Sequence, residues 1–250
     1  RDQDIGALYA EALMDTQPWD YWEAGGAQSK GRGAEILATL ERVLKDNPDH
    51  PGAIHYYIHV VESSTAPERA LPYAQRLGKQ MPGAGHIVHM PFHIFFRIGQ
   101  YKEALQANKE AVAIDEAYFA SGAPKSVYSQ GYYPHNVHSL MASAQMAGDG
   151  KTVLEAADKL SNVVSDEAAQ TFAWLQAVKS APYFAHAQFG NADTMLATPD
   201  PGDQFPFIKA MWHYMRGVAL AQRGERSAAE SEAQAIAKLD QTAKFDDVIA

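Results

Sequence analysis

A chain of 250 residues, of which 46% are hydrophobic and 20% charged, is long enough to bury a substantial core. Its formal net charge is −9 and it carries no basic stripe, so we expect no nucleic-acid partner; no apolar run reaches the roughly eighteen residues of a membrane span. With no cysteine, the chain has neither disulfides nor thiolate metal sites, and any metal must be bound by imidazole, carboxylate, carbonyl, thioether or water.

The apolar periodicity predicts an all-α chain with short turns between its helices. In chain order the predicted helices cover residues 4–15, 34–46, 51–64, 67–80, 85–98, 101–117, 127–147, 150–164, 167–178, 181–189, 205–223 and 226–240. Two insertions, near 17–33 and 118–126, interrupt this order, and residues 197–204 form a loop with two prolines and a glycine. We expect one continuous array over residues 1–250, with more degenerate repeats after 165.

The spacing of the helix ends indicates a repeat. Pro48 and Pro82 each follow an amphipathic stretch and lie 34 residues apart, and another 34 residues reach Glu116, at the end of a third stretch. This is the period of paired antiparallel helices. Glycines at Gly99 and Gly148 mark tight turns between the helices of a pair, as does a third at residue 224.

Histidines are concentrated on three predicted helices. Seven of the ten occur in short segments with spacings of three, four and seven, which place the side chains of each segment on one helical face. The seven are His55, His59, His86, His89, His93, His135 and His138, and Glu62 continues the first set.

The repeat period relates these segments to one another. His55 and His89 differ by 34, as do His59 and His93, so the histidines form columns across successive helix pairs. Packed neighbours lie about 8–10 Å apart, close enough for imidazoles to converge on one ion or a small cluster. We therefore predict a transition-metal site formed by the seven histidines with Glu62.

The turn glycines, the repeat-end prolines and the histidine segments around His55, His86 and His135 resemble the tetratricopeptide repeat family, and in particular a bacterial, histidine-rich subgroup. The resemblance covers nearly all of the chain. It implies a solenoid of helix pairs wound as a right-handed superhelix, whose first helices line a concave groove where ligands bind. It implies no particular activity. Members of the subgroup are longer at the amino end, so we expect this chain, which begins at Arg1 without Met, to be processed or truncated.

The inventory of imidazoles favours copper, in one or two ions, and hence an oxidoreductase acting on a small organic substrate. Arg97 continues the histidine face, and Trp19, Tyr21 and Trp22 lie on the first insertion, which can fold over the groove as a lid; these four residues are our predicted substrate contacts.

Other functions stay open at this point. A zinc-dependent hydrolase would use the same site, with Glu62 as general base or as a bridge between ions. A non-enzymatic scaffold that binds a peptide in the groove, or a metal storage or delivery protein, fits the same residues. A cysteine-free chain tolerates an oxidising compartment, which slightly favours a bacterial periplasm.

Overall fold

The computed structural model describes residues 2–124, 126–243, 245 and 248, and within them the fold is all-helical, as predicted. The described residues contain no strand beyond an isolated bridge between Trp22 and Ser29. The helices are α1 (Gln3–Asp15), α2 (Gly33–Asp46), α3 (Pro51–Val61), α4 (Leu71–Gln80), α5 (Gly85–His89), α6 (Pro91–Arg97), α7 (Tyr101–Ala120), α8 (Tyr133–Ala147), α9 (Gly150–Val163), α10 (Asp166–Thr171), α11 (Leu175–Phe189), α12 (Ala192–Ala197), α13 (Pro206–Gln222) and α14 (Arg226–Thr242). A 3₁₀ turn, Pro67–Ala70, precedes α4, and a π-helical turn, Tyr128–Tyr132, precedes α8.

Contacts divide the chain into two compact units, Arg1–Pro124 and Lys125–Ala250. The boundary falls inside the second predicted insertion, near 118–126; Lys125 of that insertion lies outside the described residues. The prediction of one continuous array stays a prediction.

In the first unit the helices pack on one another largely in chain order. Helix α1 packs on α2, α2 on α3, α3 on α4, and α4 on α5 and α6, which both pack on α7; α3 also contacts α1 and α6 directly. Large aliphatic side chains that are fully buried form the core between these helices, and they include Ile36, Leu40, Leu44, Ile54, Ile58, Leu77, Met90 and Ile94. The polar face of α3 is thereby left for the histidines.

In the second unit the longer helices pack on one another in chain order, and the short helices α10 and α12 each pack on the next helix. Helix α8 packs on α9, α9 on α11, α11 on α13, and α13 on both α12 and α14. Helix α14 buries no residue, and its solvent-facing surface is polar.

The predicted turns are present and use glycine for a physical reason. Gly99, Gly148 and Gly224 have φ values of 81°, 75° and 77°, in the left-handed region that side chains with a Cβ disfavour. Each glycine lies in the short turn between two helices that pack on each other: α6 and α7, α8 and α9, or α13 and α14.

Several predicted boundaries are wrong. Helix α11 is continuous from Leu175 to Phe189, whereas the sequence predicts a break between residues 178 and 181. Pro182 lies inside this helix, where it is buried and removes one backbone donor without ending the helix. The predicted helix 85–98 is divided at Met90, because Pro91 cannot donate to the helical ladder and restarts the helix as its first residue. Helix α12 was not predicted.

The first insertion is a loop fixed against α3. The indole Nε1 of Trp22 donates to the carbonyl oxygen of Val60 at 2.6 Å, and Tyr21 is only 3% exposed. Gln17 Nε2 donates to the carbonyl of Lys30 at 3.2 Å, which ties the two ends of the loop together. Among the described residues, no helix has the length and apolar character to cross a bilayer.

Candidate metal centre

Helix α3 presents the first pair of histidines. The Nδ1 atom of His50 accepts from the backbone N–H of Ala53 at 3.2 Å and caps the helix, and Pro51 occupies the first turn, where its missing N–H is not needed. Residues 54 and 58 are fully buried in the core. His55 and His59, each one position further along, therefore lie together on the adjoining face.

Helices α5 and α6 present three more histidines: His86, His89 and His93. His89 is fully buried, and the other two are partly buried. A Cβ placed on Gly85, the first residue of α5, would lie 1.9 Å from Oδ1 of Asp115 in α7. The absence of a side chain at Gly85 is thus what lets α5 lie this close to α7.

Three imidazoles from these two segments form what we call the first histidine group. His55, His59 and His86 each bring one ring nitrogen within 4.8 Å of the others. The ring centroid of His55 lies 5.0 Å from that of His59 and 5.2 Å from that of His86. Nε2 of His55 is buried and has no hydrogen-bond partner among the described residues. Imidazole nitrogens in this arrangement can ligate one transition-metal ion.

Glu62 connects the first group to His93. Its Oε1 lies 3.1 Å from Nδ1 of His59 and its Oε2 lies 2.7 Å from Nδ1 of His93. These three residues also bring potential ligand atoms within 4.8 Å of one another. An ionised carboxylate only accepts hydrogen bonds, so both Nδ1 atoms carry the proton that they donate to it. That leaves Nε2 as the lone-pair nitrogen of His59 and of His93.

The buried amide of Asn108, in α7, fixes the orientation of His89. Its Nδ2 donates to the carbonyl of Ala104 at 3.1 Å, so its Oδ1 is the atom that faces Nδ1 of His89, at 2.7 Å. Because Oδ1 only accepts, Nδ1 of His89 must donate, and Nε2 carries the lone pair. Nε2 of His89 lies 3.0 Å from Nε2 of His93.

Burial favours the neutral form of His55 and His59, while Glu62 stays ionised. Desolvation lowers the pKa of His55 to about 3, helped by repulsion from His59 and His93. Desolvation also lowers the pKa of His59, although the hydrogen bond that His59 donates to Glu62 acts in the opposite direction. Burial alone would raise the pKa of Glu62, but its electrostatic interactions and hydrogen bonds with His93 and His59 outweigh burial and hold that pKa well below the usual range.

The predicted ligands of the second unit lie on one helix. His135 and His138 both belong to α8, one turn apart, and desolvation lowers the pKa of His138. Their share in the metal site stays a prediction. The first unit alone brings together the remaining six predicted ligands, namely His55, His59, Glu62, His86, His89 and His93.

The predicted substrate contacts have different surroundings. Trp19 is 65% exposed, and its ring meets the ring of His59 at a centroid distance of 5.1 Å, nearly perpendicular to it. Arg97 is exposed, and its Nε donates to the backbone carbonyl of Glu62 at 2.6 Å. Tyr21 and Trp22 instead pack in and against the hydrophobic core.

No family model matches the chain, and no curated protein matches it.

Asn108 contacts a candidate ligand and is not among the residues predicted from the sequence, although a signal for it exists. It lies on the apolar stripe of α7, with Ala104, Leu105, Ala111 and Val112. A polar side chain in the middle of such a stripe requires a buried partner, and a histidine from the facing helix is one.

Proposed function

We propose that this protein binds a transition metal through imidazole nitrogens of the first histidine group, His55, His59 and His86. One observation carries the proposal: three ring nitrogens from two segments lie within 4.8 Å of one another in a largely buried position. Neutral imidazole is the form that ligates, and the lowered pKa values of His55 and His59 favour that form.

Imidazole ligands suit both copper and zinc, and the general order of divalent-metal affinities favours copper. A hydrolytic zinc site commonly includes a carboxylate ligand or uses a carboxylate as general base. Both oxygens of Glu62 already accept an N–H from a histidine, so Glu62 fits the outer-sphere position that orients ligating imidazoles. We accordingly propose copper as the cofactor and oxygen chemistry on a small organic substrate as the reaction, with zinc-dependent hydrolysis as the alternative.

On the substrate side, Trp19 and Arg97 are the supported contacts. The Trp19 ring lies against His59, and Arg97 is bonded to Glu62, so both lie at the carboxyl end of α3. Tyr21, at 3% exposure, and Trp22, whose N–H is bound to Val60, would have to leave the core to reach a ligand.

We also propose that each unit is an array of tetratricopeptide-type helix pairs. The packing of the longer helices on one another in chain order and the left-handed glycines between helices that pack together support this. So does the contact of α3 with α6, which are first helices of neighbouring pairs in the predicted register.

Elemental analysis of the purified protein tests the metal and its identity. We expect copper in stoichiometric amount; stoichiometric zinc would instead support the hydrolase. A protein that takes up neither metal after reloading would contradict the proposal and favour a groove that binds a peptide. Copper held in large excess over the predicted ligands would favour storage or delivery.

The double variant His55→Ala/His86→Ala tests the ligands. We expect it to lose the metal of the first group with unchanged helicity by circular dichroism, because neither residue belongs to the core. His186→Ala, on α11, is the matched control and should keep the metal. The double variant His135→Ala/His138→Ala tests the predicted ligands of α8 in the same assay. Metal affinity in His55→Ala/His86→Ala equal to that of the parent would rule out the first group as the site.

A further inference from the structure

The contact between His89 and His93 is unusual in its protonation. Nδ1 of His89 donates to Asn108 and Nδ1 of His93 donates to Glu62, at 2.7 Å in each case. Both rings therefore direct a lone pair from Nε2 into the same space, with the two nitrogens 3.0 Å apart. Two lone pairs at that distance repel each other unless a cation lies between them.

That separation is the one produced by a shared metal ion. Imidazole nitrogens bind ions such as zinc at about 2.0–2.1 Å, so two of them on one ion lie about 2.8–3.4 Å apart for bond angles between a right angle and the tetrahedral angle. The observed 3.0 Å lies within this range.

We infer that a second metal ion binds between Nε2 of His89 and Nε2 of His93, distinct from the ion of the first histidine group. This inference rests on the proposed function, since it takes the same class of metal. Asn108 and Glu62 are its positioning residues: each accepts the Nδ1–H of one ligand and so selects Nε2 as the ligating atom. With two protein ligands, the remaining coordination positions are left to water or substrate.

The rigidity of Asn108 supports this role. The residue is fully buried, and its own N–H is held by the carbonyl of Ala104, so its amide cannot turn to offer a donor to His89. The opposite ring tautomer would place an N–H at Nε2 and leave the Asn108 oxygen facing a lone pair.

Metal titration by isothermal calorimetry, with elemental analysis, tests the second ion. We expect two ions per chain in the parent, and one in His93→Ala. Asn108→Leu, which removes the acceptor, should bind the second ion about 10–100-fold more weakly. Asn108→Asp keeps an acceptor facing His89 and should retain the second ion. ¹⁵N spectra of the metal-free protein should assign the Nδ1–H tautomer to His89, and this tautomer should be lost in Asn108→Leu.

The variants separate failure of this inference from failure of the proposed function. His55→Ala/His86→Ala should lose the first ion and keep the second. A parent that binds one ion, removed by this double variant and untouched by His93→Ala, would overturn the second ion alone. An imidazolium ¹⁵N signal that metal does not displace would show that a proton is shared between His89 and His93. That result would also overturn the second ion alone. A parent with no metal at all would overturn both.

Discussion

Trp19 has a backbone φ of 63°, and no other described residue except glycine has a positive φ. A bulky side chain in the left-handed region costs about 1–3 kcal/mol and persists only where the surroundings impose it. Here the imposing neighbours are Tyr21, buried in the core, and Trp22, hydrogen-bonded to α3. The strained backbone holds an exposed indole against His59.

The emission of Trp19 should therefore report copper binding. We expect Cu(II) to quench tryptophan fluorescence in the parent, because the indole contacts a proposed ligand, His59. Trp19→Phe keeps an aromatic ring and should lose most of the copper-dependent change, although three other tryptophans remain.

Two controls apply to this measurement. Zn(II), which has no redox chemistry, should bind without comparable quenching. His55→Ala/His86→Ala should show little change with either metal. Equal quenching in Trp19→Phe and the parent would mean that the ion lies nearer to another indole.

At the scale of the element, the position of α5 depends on the missing side chain of its first residue, Gly85. The helix is five residues long and carries His86 and His89, and its Gly85 leaves no room for a side chain beside Asp115 of α7. A short helix has little stability of its own, so its place depends on this packing.

Gly85→Ala should accordingly weaken metal binding without altering any ligand. Its Cβ would meet the Asp115 carboxylate at 1.9 Å and the carbonyl oxygen of Ala111 at 3.0 Å, so α5 must move. We expect a loss of about 1–3 kcal/mol in the free energy of unfolding, measured with denaturant, and a lower metal affinity. Gly83→Ala is the matched control, because its Cβ would meet nothing within 4 Å. If both variants bind metal equally well, α5 is not held by this contact.

Features that follow from the local periodicity of the sequence were predictable. Features that depend on contacts between side chains of different helices were not. The turn at Gly99 and the pairing of His59 with His93, whose ring centroids lie 4.8 Å apart, follow from the repeat period. That the ring of His55 meets His86 depends on how far the side chains lean along their helices, which spacing alone does not determine.

Loops and buried polar contacts set a further limit to the sequence reasoning. The position of Trp19 is fixed by hydrogen bonds and burial elsewhere in the insertion, which has no periodic pattern to read. Glu62 was correctly placed beside the histidines, but its role depends on which nitrogen each histidine turns toward it.

At the scale of the whole molecule, burying neutral histidines links folding to pH. His55 has a pKa of about 3 when folded and about 6.5 as a free side chain, so the unfolded chain binds a proton that the folded protein excludes. This difference in proton binding does not lower the stability of the folded protein above pH 6.5, and it lowers that stability increasingly as the pH falls from 6.5 toward 3. The lowered pKa of Glu62 acts in the same direction, since its stabilisation is present above its free value of 4.5 and declines as the pH falls below that value.

The metal-free protein should thus lose stability steadily as the pH falls below 6.5. Thermal unfolding followed by circular dichroism after removal of metal with a chelator measures this, and we expect the midpoint to decrease between pH 6.5 and 4. His55→Gln cannot take up the proton in the unfolded chain, so its midpoint should decrease less steeply over that window. Identical pH slopes for His55→Gln and the parent would mean that His55 is not buried in its neutral form.

Saturating metal should raise the midpoint of thermal unfolding at pH 7, by the equivalent of about 2.7 kcal/mol when the free metal concentration is a hundred times the dissociation constant. This gain should shrink at lower pH, because acid protonates the ligands.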